Sequence, residues 1–71
     1  MSKFIHFEDE GITVNFDYVS KYYVKDETLH YELGFKSMWH LIKFQDIQTA
    51  FDVETKIIQF LANPKLTYVN I

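Results

Sequence analysis

Three histidines, His6, His30 and His40, are the side chains best suited to metal ligation or proton transfer near neutral pH. A zinc site needs three or four converging ligands at fixed spacing, and neither His-x-His nor His-x₃-His occurs. All three fall in segments that read as strands, where a half-exposed imidazole is ordinary. The strands of His30 and His40 are expected to be hairpin neighbours, which would let these two rings approach each other. The acidic run Glu8-Asp9-Glu10 is too short for a calcium loop, which spreads oxygen ligands over a dozen residues. It reads as a solvated turn. Paired-carboxylate catalysis has only Glu32 and Asp17 as strand-borne or strand-flanking candidates. The hydroxyls of Thr13, Ser20, Thr28 and Ser37 lack a nucleophile elbow around them. With two isolated glycines there is neither a P-loop nor a dinucleotide fingerprint. The chain is therefore expected to be non-enzymatic, with no catalytic residues, no metal and no cofactor.

What the sequence has in excess is aromatic area: one tryptophan, five tyrosines and seven phenylalanines among 71 residues. A domain of this length buries only about 60% of its unfolded surface. Without cysteine it has no disulfide or thiolate staple. At 48% hydrophobic it is too apolar for disorder, so dense packing or self-association must supply its stability. Tyr22 and Tyr23 are adjacent in one expected strand and must point to opposite faces. One of them is left outside. Tyr18, Tyr23, Phe35, Trp39 and Tyr68 are the residues expected to meet a partner, because exposed Tyr and Trp dominate interface energetics.

Charge narrows the partners. The net charge is −3, and the basic residues are all lysine, so bidentate phosphate or guanine readout has no arginine to perform it. Nucleic acid is thus the less favoured partner. Its best case is single-strand stacking on an aromatic sheet, with Lys21, Lys36 and Lys43 beside Tyr23 and Trp39. A protein partner, first a second copy of the chain, is favoured. No apolar run reaches membrane-spanning length, and the first residues carry no signal-peptide pattern, so cytoplasmic residence with no membrane partner is expected.

The elements that must position these rings follow from hydrophobic period. Residues 3–7 and 12–16 read as a first hairpin about a turn at 8–11, with Gly11 free to take positive φ. The alternation loses phase at Asp17-Tyr18. Residues 19–24 resume as a strand, with Tyr22 and Val24 on one side and Lys21 and Tyr23 on the other. A charged turn follows at Lys25-Asp26-Glu27. Residues 28–33 alternate cleanly, with Leu29, Tyr31 and Leu33 on one face and Thr28, His30 and Glu32 on the other. After a turn at Gly34–Ser37, residues 38–44 are more uniformly apolar, which suggests a central strand or one covered on both faces.

Residues 46–63 form the one long helical pattern. Ile47, Ala50, Phe51, Ile57, Ile58 and Leu61 supply its apolar stripe, widened by Val53 and Phe60. Asp46 is the expected N-cap and Asn63-Pro64 the stop, with a later start capped by Asp52 as the alternative. Residues 65–71 can end the fold as a short strand or as an arm toward a neighbour. The whole, residues 1–71, is one α+β domain: an antiparallel meander of four or five strands, one helix on a face, and a short C-terminal strand where the tail is tied down.

The run from Ile12 to Leu61, with its Asn15-Phe16-Asp17 step, aromatic strand, strand ending at Gly34 and following helix, resembles the small FlbD-type accessory proteins and similar short proteins of low-GC bacteria and their phages. The resemblance covers about two-thirds of the chain. It implies a small regulatory or structural accessory protein and brings no catalytic residues. The helix here lacks the glutamate- and lysine-rich character of that group, and the aromatic load is higher.

Overall fold

The computed structural model of the chain describes residues 2–35 and 37–71. Lys36, one of the lysines considered for strand binding, lies outside them. The fold is α+β. Strands β1 (Phe4–Phe7) and β2 (Ile12–Asn15) form a hairpin, a 3₁₀ turn follows at Phe16–Tyr18, and β3 (Val19–Lys25), β4 (Thr28–Leu33) and β5 (Met38–Lys43) form a meander. Helix α1 (Ile47–Ala62) and a last strand β6 (Tyr68–Asn70) complete it. The tail is tied down: β6 pairs in parallel with β1, Phe4 beside Tyr68 and His6 beside Asn70.

The strands divide into two three-stranded sheets, ordered β2-β1-β6 and β3-β4-β5. The division falls where the sequence alternation slips. The Asn15 side chain accepts from the Asp17 amide (3.0 Å), a local turn that competes with the ladder. The Asp17 carboxylate accepts from the Lys3 amide (3.3 Å), which anchors this turn to the start of β1. The Asn-x-Asp step is thus the joint between the sheets. Gly11 takes φ 67° in the β1–β2 turn, a value only glycine adopts without penalty. Asp26, at φ 55°, turns the β3–β4 hairpin.

Both sheets turn one face to a shared core of Ile5, Phe7, Val14, Phe16, Leu29, Tyr31, Ile42, Val53, Ile57 and Phe60. α1 lies over β3 and β4. It is continuous from Ile47, and Asp46 caps it by accepting from the Thr49 amide (2.7 Å). The alternative start at Asp52 does not occur. The buried helix residues are Ala50, Val53, Ile57 and Phe60. Val53 and Phe60 therefore belong to the middle of the core face, while Ile47, Phe51 and Ile58 are exposed on one flank. The apolar arc of this helix is wider than the sheet beneath it can cover.

One expectation is corrected. The apolar strand β5 is an edge strand, and its outward face, Trp39 and Leu41 included, is exposed. The helix and the other sheet lie on the inner side only. Apolar character on both faces therefore did not signify cover on both faces.

The C-terminal end of α1 is held by a residue from the other end of the chain. The Lys3 ammonium donates to the carbonyls of Phe60 (3.3 Å), Asn63 (2.7 Å) and Leu66, and lies 4.8 Å from the centre of the Phe60 ring. A cation among the last carbonyls of a helix opposes the negative end of its dipole, and here it adds a charged donor to the Phe60 carbonyl, which also accepts from the Asn63 cap amide. Lys3→Met should lower the unfolding free energy by about 1–2 kcal/mol, read as a fall in the urea midpoint at unchanged slope. At the other end, the bonded Thr49 amide, and then the Thr49 hydroxyl, hold the Asp46 carboxyl below its ordinary range. A lowered folded-state pKa stabilises the fold above the unfolded carboxyl pKa, and that support is lost as pH falls through the folded value. Asp46→Asn should flatten this part of the acid limb of a stability–pH curve followed by circular dichroism.

Candidate functional site

The outer face of the β3-β4-β5 sheet is set by register. Tyr23 lies opposite His30 and His30 opposite Leu41; Lys21 lies opposite Glu32 and Glu32 opposite Trp39; Lys25 lies opposite Thr28 and Thr28 opposite Lys43. Directly opposed residues in an antiparallel ladder share a face. This face therefore carries two aromatic rings, an imidazole and a leucine among three lysines and one glutamate. Tyr23 stacks on His30 at 4.4 Å between ring centres and meets Trp39 edge-on at 5.6 Å. Among the described residues no element lies over the group: Tyr23 is 46% exposed, Trp39 43% and Leu41 63%. Lys43 pairs with Glu27 at 3.5 Å, and the Glu32 carboxylate accepts from the Ser20 hydroxyl (2.8 Å).

All five residues expected to meet a partner are exposed, but they occupy three places. Tyr23 and Trp39 touch each other on the outer face of β3-β4-β5. Tyr18 and Phe35 touch each other edge-on at 5.6 Å where Gly34 bonds back to the Tyr18 carbonyl (2.9 Å). There they wall an open groove of about 330 Å³ between β2 and the inner face of β4 and β5. Tyr68 pairs with Phe4 on the outer face of the other sheet. Leu41 completes the Tyr23–Trp39 group and was not singled out from sequence. Its place two residues after Trp39 in one strand, hence on the same face, is the signal that would have found it.

The histidines do not converge. His30 faces outward, while His40 faces inward and stacks on Tyr31 at 5.2 Å. The expected approach of these two fails because the register sets His30 opposite Leu41 and Tyr31 opposite His40. The His6 ring nitrogen shares a hydrogen with the Thr13 hydroxyl (2.8 Å) in the other sheet. Among the described residues, no group of three or more histidines or carboxylates gathers within reach of one ion. Burial raises the phenol pKa of Tyr31; burial, with the Glu54 charge added, raises that of Tyr22. Both phenols therefore stay protonated at neutral pH and are poorly suited to act as bases. A second cleft, of about 250 Å³, lies between Phe7, Val53 and Ile71, with Asp9, Asp52 and Lys56 at its walls. It falls below the roughly 300 Å³ at which small-molecule sites begin.

Comparison with protein-family models, with curated proteins and with solved structures finds no match. No helix among the described residues is long and apolar enough to cross a membrane.

If the outer rings serve recognition and not the core, truncating them should spare folding. Trp39→Ala is expected to cost about 1 kcal/mol of stability, the worth of one edge-on ring contact. Phe7→Ala, from the buried side of β1, should cost about 3–5 kcal/mol. Urea titration of both variants checks the contrast.

Proposed function

We propose that the protein is a non-enzymatic interaction module that docks protein surfaces through the outer face of β3-β4-β5, first those of its own copies. One observation carries this reading. Tyr23, Trp39 and Leu41 form an aromatic and aliphatic cluster that is close to half exposed or more, framed by Lys21, Lys25, Lys43 and Glu32. A central ring pair within a charged frame is the composition of an interface core and its rim. The regulatory or structural accessory role implied by the FlbD-type resemblance is compatible with such a module.

A second reading is favoured by one feature of the same face. The lysines at 21, 25 and 43 stand in register around the Tyr23–His30 stack, and aromatic rings within a basic frame also receive unpaired bases. The overall charge of −3 opposes it.

Light scattering of the full chain at rising concentration is expected to show a dimer or larger species by the micromolar range. Tyr23→Ala and Trp39→Ala should each weaken that association by about tenfold or more while leaving the circular dichroism spectrum intact. A monomer throughout, combined with salt-weakened retardation of single-stranded DNA or RNA in a gel, would replace the first reading with the second.

A further inference from the structure

The four sheet edges are not equally protected. β6 has three residues and β2 has four, and β3 carries a register shift between Val19 and Lys21 and two lysines. Short strands, irregular ladders and charges are the devices that keep an edge from pairing with another chain. β5 has six residues, pairs with β4 without a register shift, contains no proline, and carries its only formal charge at its last position, Lys43. It is also the most apolar strand in the sheet, with Met38, Trp39 and Leu41 all exposed.

The open peptide groups on β5 can be identified. The Phe44 amide donates to the Glu27 carbonyl (2.8 Å), directly beyond the Lys43–Thr28 pair. Antiparallel ladders alternate, so Ile42 and His40 also direct their peptide groups to β4, and Trp39, Leu41 and Lys43 direct theirs away from it. Among the described residues, none of those three makes a backbone bond to an element outside its sheet.

We infer that β5 pairs antiparallel with β5 of a second copy, about a two-fold axis at Leu41. This rests on the self-association reading and specifies its geometry. A two-fold axis between antiparallel neighbours stands perpendicular to the sheet, so inner faces stay on one side and only residues of the same facing can be opposed. Of the registers that satisfy this, the one centred on Leu41 alone engages all three outward peptide groups within the strand. Leu41 then meets its own copy, and Trp39 on each side meets the other copy's Lys43. Registers centred one residue away move one of the three against the Ser37 turn or beyond the strand end. A register centred on Lys43 opposes like charges.

The side chains agree with the backbone. Lysine beside indole is an attractive pairing of cation and ring, and Lys43, already near Glu27, needs no new conformation of the main chain to lie beside it. Leucine against leucine removes the most exposed apolar side chain of the strand from water. The product is one six-stranded sheet whose outer face carries both copies of the Tyr23–Trp39 group in a single surface.

The test joins light scattering with amide hydrogen exchange followed by NMR on the isotope-labelled full chain. The expected result is a dimer in which the Trp39, Leu41 and Lys43 amides gain protection of about tenfold or more as concentration rises through the dissociation constant. A dimer with those three amides unprotected overturns the β5 pairing and leaves self-association standing. A monomer at every concentration overturns both. Leu41→Pro removes an amide that β4 does not use, a substitution edge strands tolerate, and should give a folded monomer. A folded Leu41→Pro dimer also overturns the pairing. If that variant does not fold, Leu41→Lys replaces it. That variant keeps every amide, sets like charges on the axis, and should weaken association by about tenfold or more; unchanged association would count against the Leu41-centred register.

Discussion

One sixteen-residue helix has to shield the inner faces of two separate three-stranded sheets. That shortage of cover governs the rest of the molecule. Ala50, Val53, Ile57 and Phe60 close the core where β3, β4 and the β1–β2 hairpin meet it. Among the described residues no second layer lies on the outer side of either sheet. Of the thirteen aromatic residues, Phe7, Phe16, Tyr31 and Phe60 are buried, and seven stand exposed. A chain of this size can be stable with that distribution, because a core needs only enough apolar area to offset ordering. The remaining rings are then surface chemistry, available for recognition.

Two polar devices make the single helix sufficient. Asp46 begins it, and Lys3 closes it from across the fold, so neither end depends on the sheet for its unpaired peptide groups. Lys3 precedes β1, the central strand of the smaller sheet. The clamp therefore also fixes how that sheet sits against the helix axis. The Asn15–Asp17 turn does the corresponding work at the joint between the sheets.

Much of this was legible in the residues. The alternation in 28–33 separated the two faces of β4, of which the structure buries the one carrying Leu29 and Tyr31, and the Tyr22–Tyr23 step placed one ring outside, as found. Asp46 and Asn63-Pro64 bounded the helix correctly. Three features were not legible, each for a physical reason. The face of α1 was misassigned because its apolar residues span a wide arc, and period alone cannot say which part of an arc meets a sheet of finite width. β5 read as interior because hydrophobicity reports affinity for an apolar neighbour and does not say whether that neighbour lies within the same chain. The distance between His30 and His40 depended on the parity of the β4–β5 register. That parity is set between β4 and β5, where Ser37 takes φ 50°, a conformation serine rarely signals. The five aromatics chosen for recognition came out exposed because strand parity and turn position decide exposure locally. Their division among three places depended on the separation into two sheets, which is a long-range property.

The pairing of β6 with β1 bears on how the chain acquires its shape. β3, β4 and β5 join through short turns and can form while the polypeptide is still being made. β1 gains its second neighbour only when Tyr68–Asn70 arrives from far along the chain. Closing so long a loop is entropically slow. The hairpin that brings Ile5 and Phe7 to the core therefore completes its sheet through the contact most distant in sequence, and the local meander has no such wait.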